Sequence, residues 1–368
     1  MIPISKPFVS NLELELVSEA VKSGWVSSLG PYIEQFENGF ATFCGVEYAL
    51  TVSNGTVGLH LALATLGIKE GDEVIVPDLT FVATANAVKM SGAIPILVDV
   101  DRHSYCISVS AIEAAITPNT RAIIPVHLYG YPANMPDILK LAAAHSLLVI
   151  EDAAEAHGAS IEGRFVGSFG DFGVFSFYGN KILTAGEGGM LTTNNYELFK
   201  RARHLRDHAM SKEKRYWHTE LGYNYRMTNL QAALGVAQLQ QVEQFLTERS
   251  QILDQYRNRL EKYGIECNPC GGDGIKPVNW LTCAVLPNAS RIVRDKVIFL
   301  MAESGVDSRP FFYPLSDLPM YESTPNPVSQ IISSTGINLP TYIGISSEEI
   351  DIASTALLNA CISCGLVR

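Results

Sequence analysis

Two residues in this chain have types and settings that could do chemistry together. Lys181 closes Ser176-Phe177-Tyr178-Gly179-Asn180-Lys181, at the end of an apolar, strand-like run from Phe172 to Phe177. Lysine is ordinarily solvated, so one placed just after a buried strand needs a reason. Asp152 follows a second apolar run, Leu147 to Ile150, within Glu151-Asp152-Ala153-Ala154-Glu155-Ala156-His157-Gly158. An amine can add to an aldehyde, and an anion can pair with a ring nitrogen, so the two suit pyridoxal 5'-phosphate (PLP). A carboxylate beside the pyridine nitrogen keeps it protonated, which makes the ring an electron sink. Glu155 and His157 stand where either could reach the ring or the substrate, or could cap the next segment.

A phosphate group asks for a helix start, and Thr51-Val52-Ser53-Asn54-Gly55-Thr56-Val57-Gly58 turns from strand or loop into an amphipathic helix. Free N–H groups and the helix dipole favour an anion there, and Gly55 permits close approach. Ser53 or Thr56 capping the helix would use the same geometry. Phe81 opens another helix at a strand end, where an aromatic can stack on a pyridine ring or pack in the core. Ser176 could join the phosphate site or satisfy a backbone group. Gly179 and the Gly186–Gly189 run would permit the turns that aim Lys181.

These residues need a scaffold. Apolar runs at 73–77, 94–98, 122–127, 147–150, 173–177 and 189–193 alternate with helical patterns at 57–66, 80–90, 109–116 and 136–145. Such alternation predicts crossover connections and a largely parallel sheet covered on both faces, an α/β architecture. Ligands in these sheets bind at the carboxyl ends of the strands, where Asp152, His127 and Lys181 would lie. Residues 230–260 read as one long helix or two. We expect a large domain over 1–245 and a small C-terminal α+β domain over 246–368.

Composition narrows the class. The 368 residues leave room for two domains, and 47% apolar with 18% charged residues fits a well-buried enzyme. A net charge of −11 argues against broad nucleic-acid binding. The basic residues near 200–206 and 212–215 read equally well as a solvated surface. No signal-peptide pattern and no apolar run of ~18 residues is visible, so a cytoplasmic protein without a membrane span is expected. Seven cysteines are expected as thiols. The pairs Cys267/Cys270 and Cys361/Cys364 lie too far apart for the usual zinc spacing, and no metal site is expected. A Gly-x-Gly-x-x-Gly turn after the first strand is missing, which disfavours a nicotinamide oxidoreductase.

At these motifs the chain resembles the DegT/DnrJ/EryC1/StrS family of sugar aminotransferases, which have the aspartate aminotransferase-like fold type I. The markers are Ser27/Ser28 after Ser23-Gly24-Trp25, Ser53 to Thr56, Glu151 to Gly158, Ser176 to Lys181 and Gly186 to Gly189. The segments Arg215 to His218, Tyr223 to Asn229, Ser308 to Pro314 and Gly336 to Pro340 are similar to the GDP-perosamine synthase branch. The resemblance implies that Lys181 holds PLP covalently and is catalytic, and that Asp152 pairs with the ring nitrogen. It implies that Gly55, Thr56 and Ser176 hold the phosphate, that Phe81 stacks on the ring, and that Glu155 lies near O3'. Asn224 would reach the phosphate of a neighbouring subunit, making a homodimer with shared sites. Trp25, Ser28, Arg309 and Tyr313 match segments expected near the sugar.

The implied reaction takes an amino group from L-glutamate through pyridoxamine 5'-phosphate to a keto sugar. The favoured acceptor is GDP-4-keto-6-deoxy-D-mannose, giving GDP-perosamine for surface polysaccharide such as lipopolysaccharide O-antigen. Another keto sugar, or a keto sugar acid without a nucleotide, is an alternative acceptor. A non-catalytic regulator that kept the fold is a further alternative. The family's dehydratase branch has histidine at the position of Lys181, so lysine here favours amino transfer.

Overall fold

The computed structural model describes residues 1–272 and 274–367. Its first strands are β1 (Tyr48–Val52), β2 (Glu73–Pro77), β3 (Ile94–Val98), β4 (Thr120–Ile123) and β5 (Leu148–Asp152). A short pair follows, β6 (Ser160–Ile161) and β7 (Arg164–Phe165), and then β8 (Phe172–Ser176) and β9 (Gly189–Thr193). The C-terminal strands are β10 (Glu266–Cys267), β11 (Ile275–Lys276), β12 (Thr282–Val285), β13 (Arg309–Pro310) and β14 (Gly336–Leu339).

The central sheet has the order β1-β9-β8-β5-β4-β2-β3. Within it β9 alone runs against the others, so the sheet is mixed and mostly parallel. Strands β8 and β9 are buried along their whole length. Helices cover both of their faces, which is why β8 reads as a continuous apolar run rather than an alternating one. The expected strands at 73–77, 94–98 and 189–193 stand at those bounds, whereas β5 continues to Asp152 and β4 ends at Ile123. β1 was expected only as a strand or loop.

The helix Gly55–Thr65 differs from its reading as amphipathic. Leu59, Leu61, Ala62 and Leu63 are buried together with Gly55, Gly58, His60 and Thr65, so it is enclosed nearly all round. Residues 230–260 form two helices, Asn229–Gln240 and Val242–Leu260, separated at Gln241. The first begins with a Thr228/Gln231 capping box.

A second, antiparallel sheet has the order β10-β12-β14-β13. It shares a core with Val242–Leu260, Arg291–Glu303 and Ser347–Ser363, built from Tyr256, Leu260, Val297, Met301 and Leu357. The expected boundary at 245/246 falls inside helix Val242–Leu260. Asp273 and Arg368 of the expected second domain lie outside the described residues. The N-terminal segment joins the C-terminal part, with Ile2 N donating to Gly305 O (2.8 Å) and Thr341 N to Ile4 O (2.9 Å). Among the described residues no helix is long and apolar enough to cross a membrane.

Candidate active site

Successive side chains of a strand point to opposite faces, so β5 sends Glu151 and Asp152 apart. Glu151 is fully buried and accepts hydrogen bonds from Gly167 N (2.8 Å), Phe169 N (2.7 Å) and Gly170 N (2.8 Å). His127 Nε2 lies 3.1 Å from it, and His127 Nδ1 accepts from Ala133 N at 3.0 Å. The Nδ1 contact places the imidazole proton on Nε2, facing the carboxylate. His127, expected at the ligand edge of the sheet, therefore anchors a loop with Glu151. Asp152 faces the other way, accepting from Thr84 Oγ1 (2.8 Å) and Ala154 N (3.2 Å). Burial pushes its carboxyl above the usual range, while the Thr84 and Ala154 bonds and the Lys181 charge act against that rise.

Lys181 follows β8 in a turn closed by Lys181 N to Tyr178 O (2.9 Å) and Ala185 N to Phe177 O (2.9 Å). Gly186 and Gly188 take φ of 78° and 153°, conformations an L side chain resists. Gly179 has no such φ, and a Cβ there would meet only Gly186 O at an ordinary 4.0 Å, so its freedom is not what aims the lysine. Lys181 Nζ sits 3.4 Å from Glu155 Oε1 and 3.9 Å from the centre of the Trp280 ring. Glu155 Oε2 accepts from Tyr129 N at 2.9 Å. Burial raises the Glu155 carboxyl, and Lys181 and the Tyr129 N–H oppose that. Tyr129 has φ 52°, uncommon for a bulky residue and a mark of local strain.

His157 does not join this group. It is fully buried among Phe40, Phe175 and Phe177, with ring centres 6.4, 5.3 and 5.6 Å away, and neither ring nitrogen has a hydrogen-bond partner. Burial, helped by the Lys181 and Arg249 charges and opposed by the nearby Ser176 backbone, pulls its pKa down to about 3, so the ring is neutral.

The N-terminus of helix Gly55–Thr65 abuts the ends of β8 and β9. Asn54 is its cap, accepting from Val57 N at 3.0 Å, which leaves neither Ser53 nor Thr56 in that role. The N–H groups of Gly55 and Thr56 precede the first intrahelical bond, Gly58 N to Asn54 O (3.1 Å). A Cβ on Gly55 would stand 3.1 Å from Ser176 Cβ, so the glycine keeps the backbone and the Ser176 hydroxyl close together. Phe81 is 53% exposed and leans on Phe312, ring centres 5.6 Å apart. Its helix begins only at Ala83. An amine, a buried carboxylate on a neighbouring strand end, and a helix N-terminus narrowed by glycine match what PLP requires of a protein.

The other expected residues lie apart from Lys181 in their contacts. Asn224 Oδ1 accepts from Arg226 Nε and Nη2 at 3.1 and 2.9 Å, and Arg226 pairs with Asp207 at 2.8 Å. Arg226 and Ser28 line a cavity of about 1470 Å³ between helices Pro31–Cys44 and Tyr196–Arg206. Lys181, Asp152 and Glu155 are not among its lining residues. Trp25 is exposed, and its carbonyl accepts from the buried Asn229 at 2.7 Å. Arg309 is exposed in β13 opposite Asn338, and Tyr313 lies under the Arg291 guanidinium at 5.2 Å. Sequence reasoning missed Thr84, Tyr129 and Trp280. The Gly130 and Pro132 breakers signalled a turn around Tyr129, but Trp280 gave no local signal.

Comparison with known proteins agrees with this geometry. The model of the DegT/DnrJ/EryC1/StrS aminotransferase family matches residues 8–357. The chain is 44% identical to the GDP-perosamine synthase of Escherichia coli O157:H7 over 351 residues, covering 95% of both chains. It is 43% identical to the GDP-perosamine synthase of Caulobacter vibrioides over 360 residues, covering 97% of both. Among solved structures, the Streptococcus pneumoniae protein Spr1654 in its PLP form superposes with a TM-score of 0.93 at 26% identity, covering 99% of each chain. The chain belongs to the DegT/DnrJ/EryC1/StrS aminotransferase family and is a PLP-dependent sugar aminotransferase.

Proposed function

We propose that this enzyme transfers an amino group from L-glutamate to GDP-4-keto-6-deoxy-D-mannose, forming GDP-perosamine, in the cytoplasm. The observation that carries amino transfer is Lys181 Nζ lying 3.4 Å from buried Glu155, with Asp152 buried at the neighbouring strand end. The two bacterial relatives named as GDP-perosamine synthases support the choice of sugar. Lysine at 181, rather than the dehydratase histidine, supports amino transfer over deoxygenation.

When bound, PLP supplies an aldehyde to capture amines and a ring that accepts the electron pair released at the amine-bearing carbon. Lys181 would hold it covalently, and its free Nζ would be the base that moves the proton at that carbon. Asp152, fixed by Thr84, would hold the proton on the pyridine nitrogen. Gly55, Thr56 and Ser176 would bind the phosphate, Phe81 would cover a face of the ring, and Glu155, which touches Lys181 Nζ at 3.4 Å, would orient it near O3'. Trp25, Ser28, Arg309 and Tyr313 are proposed for the sugar. Asn224, whose contacts do not reach Lys181, serves the site of a second copy, so the catalytic unit is a homodimer. The proposed large and small domains of each copy, 1–245 and 246–368, are joined through helix Val242–Leu260, which spans the boundary between them.

Borohydride reduction of the PLP-loaded protein should fix the cofactor on Lys181, as read by peptide mass spectrometry. Label on another residue, or turnover preserved in Lys181→Ala, would reject the assignment. Glutamate should bleach the bound cofactor's visible band and release 2-oxoglutarate; inertness to glutamate would reject that donor.

A further inference from the structure

Trp280 is absent from the reaction as outlined, yet it touches its central amine. The Lys181 ammonium sits 3.9 Å from the centre of the indole, well inside the range of a cation–π contact. Lys181 is only 11% exposed and Trp280 4%, so little water competes with that attraction. The indole is also held in place. Its Nε1–H donates to Asn180 O at 2.8 Å, the carbonyl just before the lysine, so the ring is latched to the backbone that carries the amine. Trp280 O accepts from the buried Arg249 Nη1 at 2.6 Å, while Asn279 Nδ2 returns a bond to Arg249 O at 3.0 Å. The Tyr129 ring lies nearly parallel to the indole, centres 6.1 Å apart and planes 17° apart. Tyr129 is the strained residue whose N–H fixes Glu155, so one residue braces both neighbours of the ammonium.

We infer that Trp280 is a positioning residue that, with Glu155, forms the resting niche of the Lys181 ammonium whenever the amine is not bonded to the cofactor. This inference rests on the assignment of Lys181 as the reacting amine. In each cycle the lysine must leave the cofactor, stay within reach, and return. A carboxylate alone would hold the ammonium at one point, whereas the indole face offers attraction spread over its surface. The charged and titratable groups around Lys181 and the indole are Glu155, Asp152, the neutral His157, Arg249 on the Trp280 carbonyl, and the Tyr129 phenol stacked on the ring. The Glu155 carboxylate and the indole face both attract the cation. Loss of the indole therefore weakens the hold on the ammonium relative to the free amine and leaves the chain less confined.

The test reads the lysine directly in the full-length chain freed of cofactor. Acetylation of Lys181 by a limiting reagent is followed against pH by mass spectrometry in wild type, Trp280→Phe and Trp280→Leu. The midpoint of the reactivity curve should fall by about 0.5–1.5 pH units in Trp280→Leu, a 3- to 30-fold rise in reactivity below the midpoint, and by less in Trp280→Phe. An unchanged midpoint in a folded variant overturns the inference. A second measurement avoids touching the niche: with Trp25 and Trp217 replaced by Phe, Trp280 is the remaining indole. Its emission should change through the same midpoint as Lys181 reactivity, and an emission flat across that range overturns the inference. Borohydride trapping separates the two levels. Failure to label Lys181 removes the underlying assignment, whereas normal labelling with an unshifted midpoint removes only the role of Trp280.

Discussion

Lys181, Asp152 and Glu155 form a small charge system in which burial and pairing oppose each other. Burial raises both carboxyl groups, and the one lysine among them draws both back toward ionisation. The Lys181→Ala protein should lose turnover by at least about 100-fold, as read by 2-oxoglutarate release, because general base catalysis commonly contributes that much or more. Asp152→Asn should lose turnover by on the order of 100-fold, while the protein still folds around its Thr84 and Ala154 contacts. His157 belongs to stability rather than to chemistry. The unfolded imidazole titrates near 6.5 and the folded one near about 3, so between these values only the unfolded chain takes the proton. Stability therefore falls as pH drops from 6.5 toward 3, by up to about 1.4 kcal/mol per pH unit. Urea denaturation across this window should show a flatter acid limb for His157→Leu. An unaltered slope would show that another group sets it.

At the scale of elements, the site depends on strand ends meeting a helix start. A Cβ on Gly189 would stand 2.7 Å from Asn54 C and 2.9 Å from Gly55 N, so β9 and the start of helix Gly55–Thr65 touch through backbone. Gly189→Ala should cost about 1–3 kcal/mol of stability, read as a lower thermal midpoint. It should also weaken PLP binding by about tenfold in a fluorescence titration, because the displaced turn carries the phosphate site. Much of this was legible in sequence. The apolar runs ending at Ile150 and Phe177 announce buried strands, and the polar residues after them must lie at the ligand edge of a parallel sheet. Which way each residue faces was not legible. Asp152 and Glu151 are adjacent, yet only the packed sheet decides which looks into the site. Trp280 escaped for a different reason, since its contact with Lys181 spans about a hundred residues and leaves no local pattern.

For the whole molecule, the central question is how many chains make one site. Asn224 bonds to Arg226, which lines the same cavity as Ser28, and its contacts stay apart from Lys181. If a second copy's Asn224 completes each site, mixing Lys181→Ala with Asn224→Ala chains should restore activity. Random pairing gives roughly half mixed dimers with one intact site each, hence roughly a quarter of the wild-type rate. No recovery on mixing would mean that Lys181 and Asn224 act within one chain. The most direct measurement for the account as a whole is mass spectrometry of the products formed from L-glutamate, PLP-loaded enzyme and GDP-4-keto-6-deoxy-D-mannose. We predict a GDP-sugar whose carbonyl is replaced by an amine, with one 2-oxoglutarate released per amino sugar. A deoxygenated sugar that keeps its carbonyl, or an unchanged sugar beside enzyme that accepts glutamate's amino group, would contradict it.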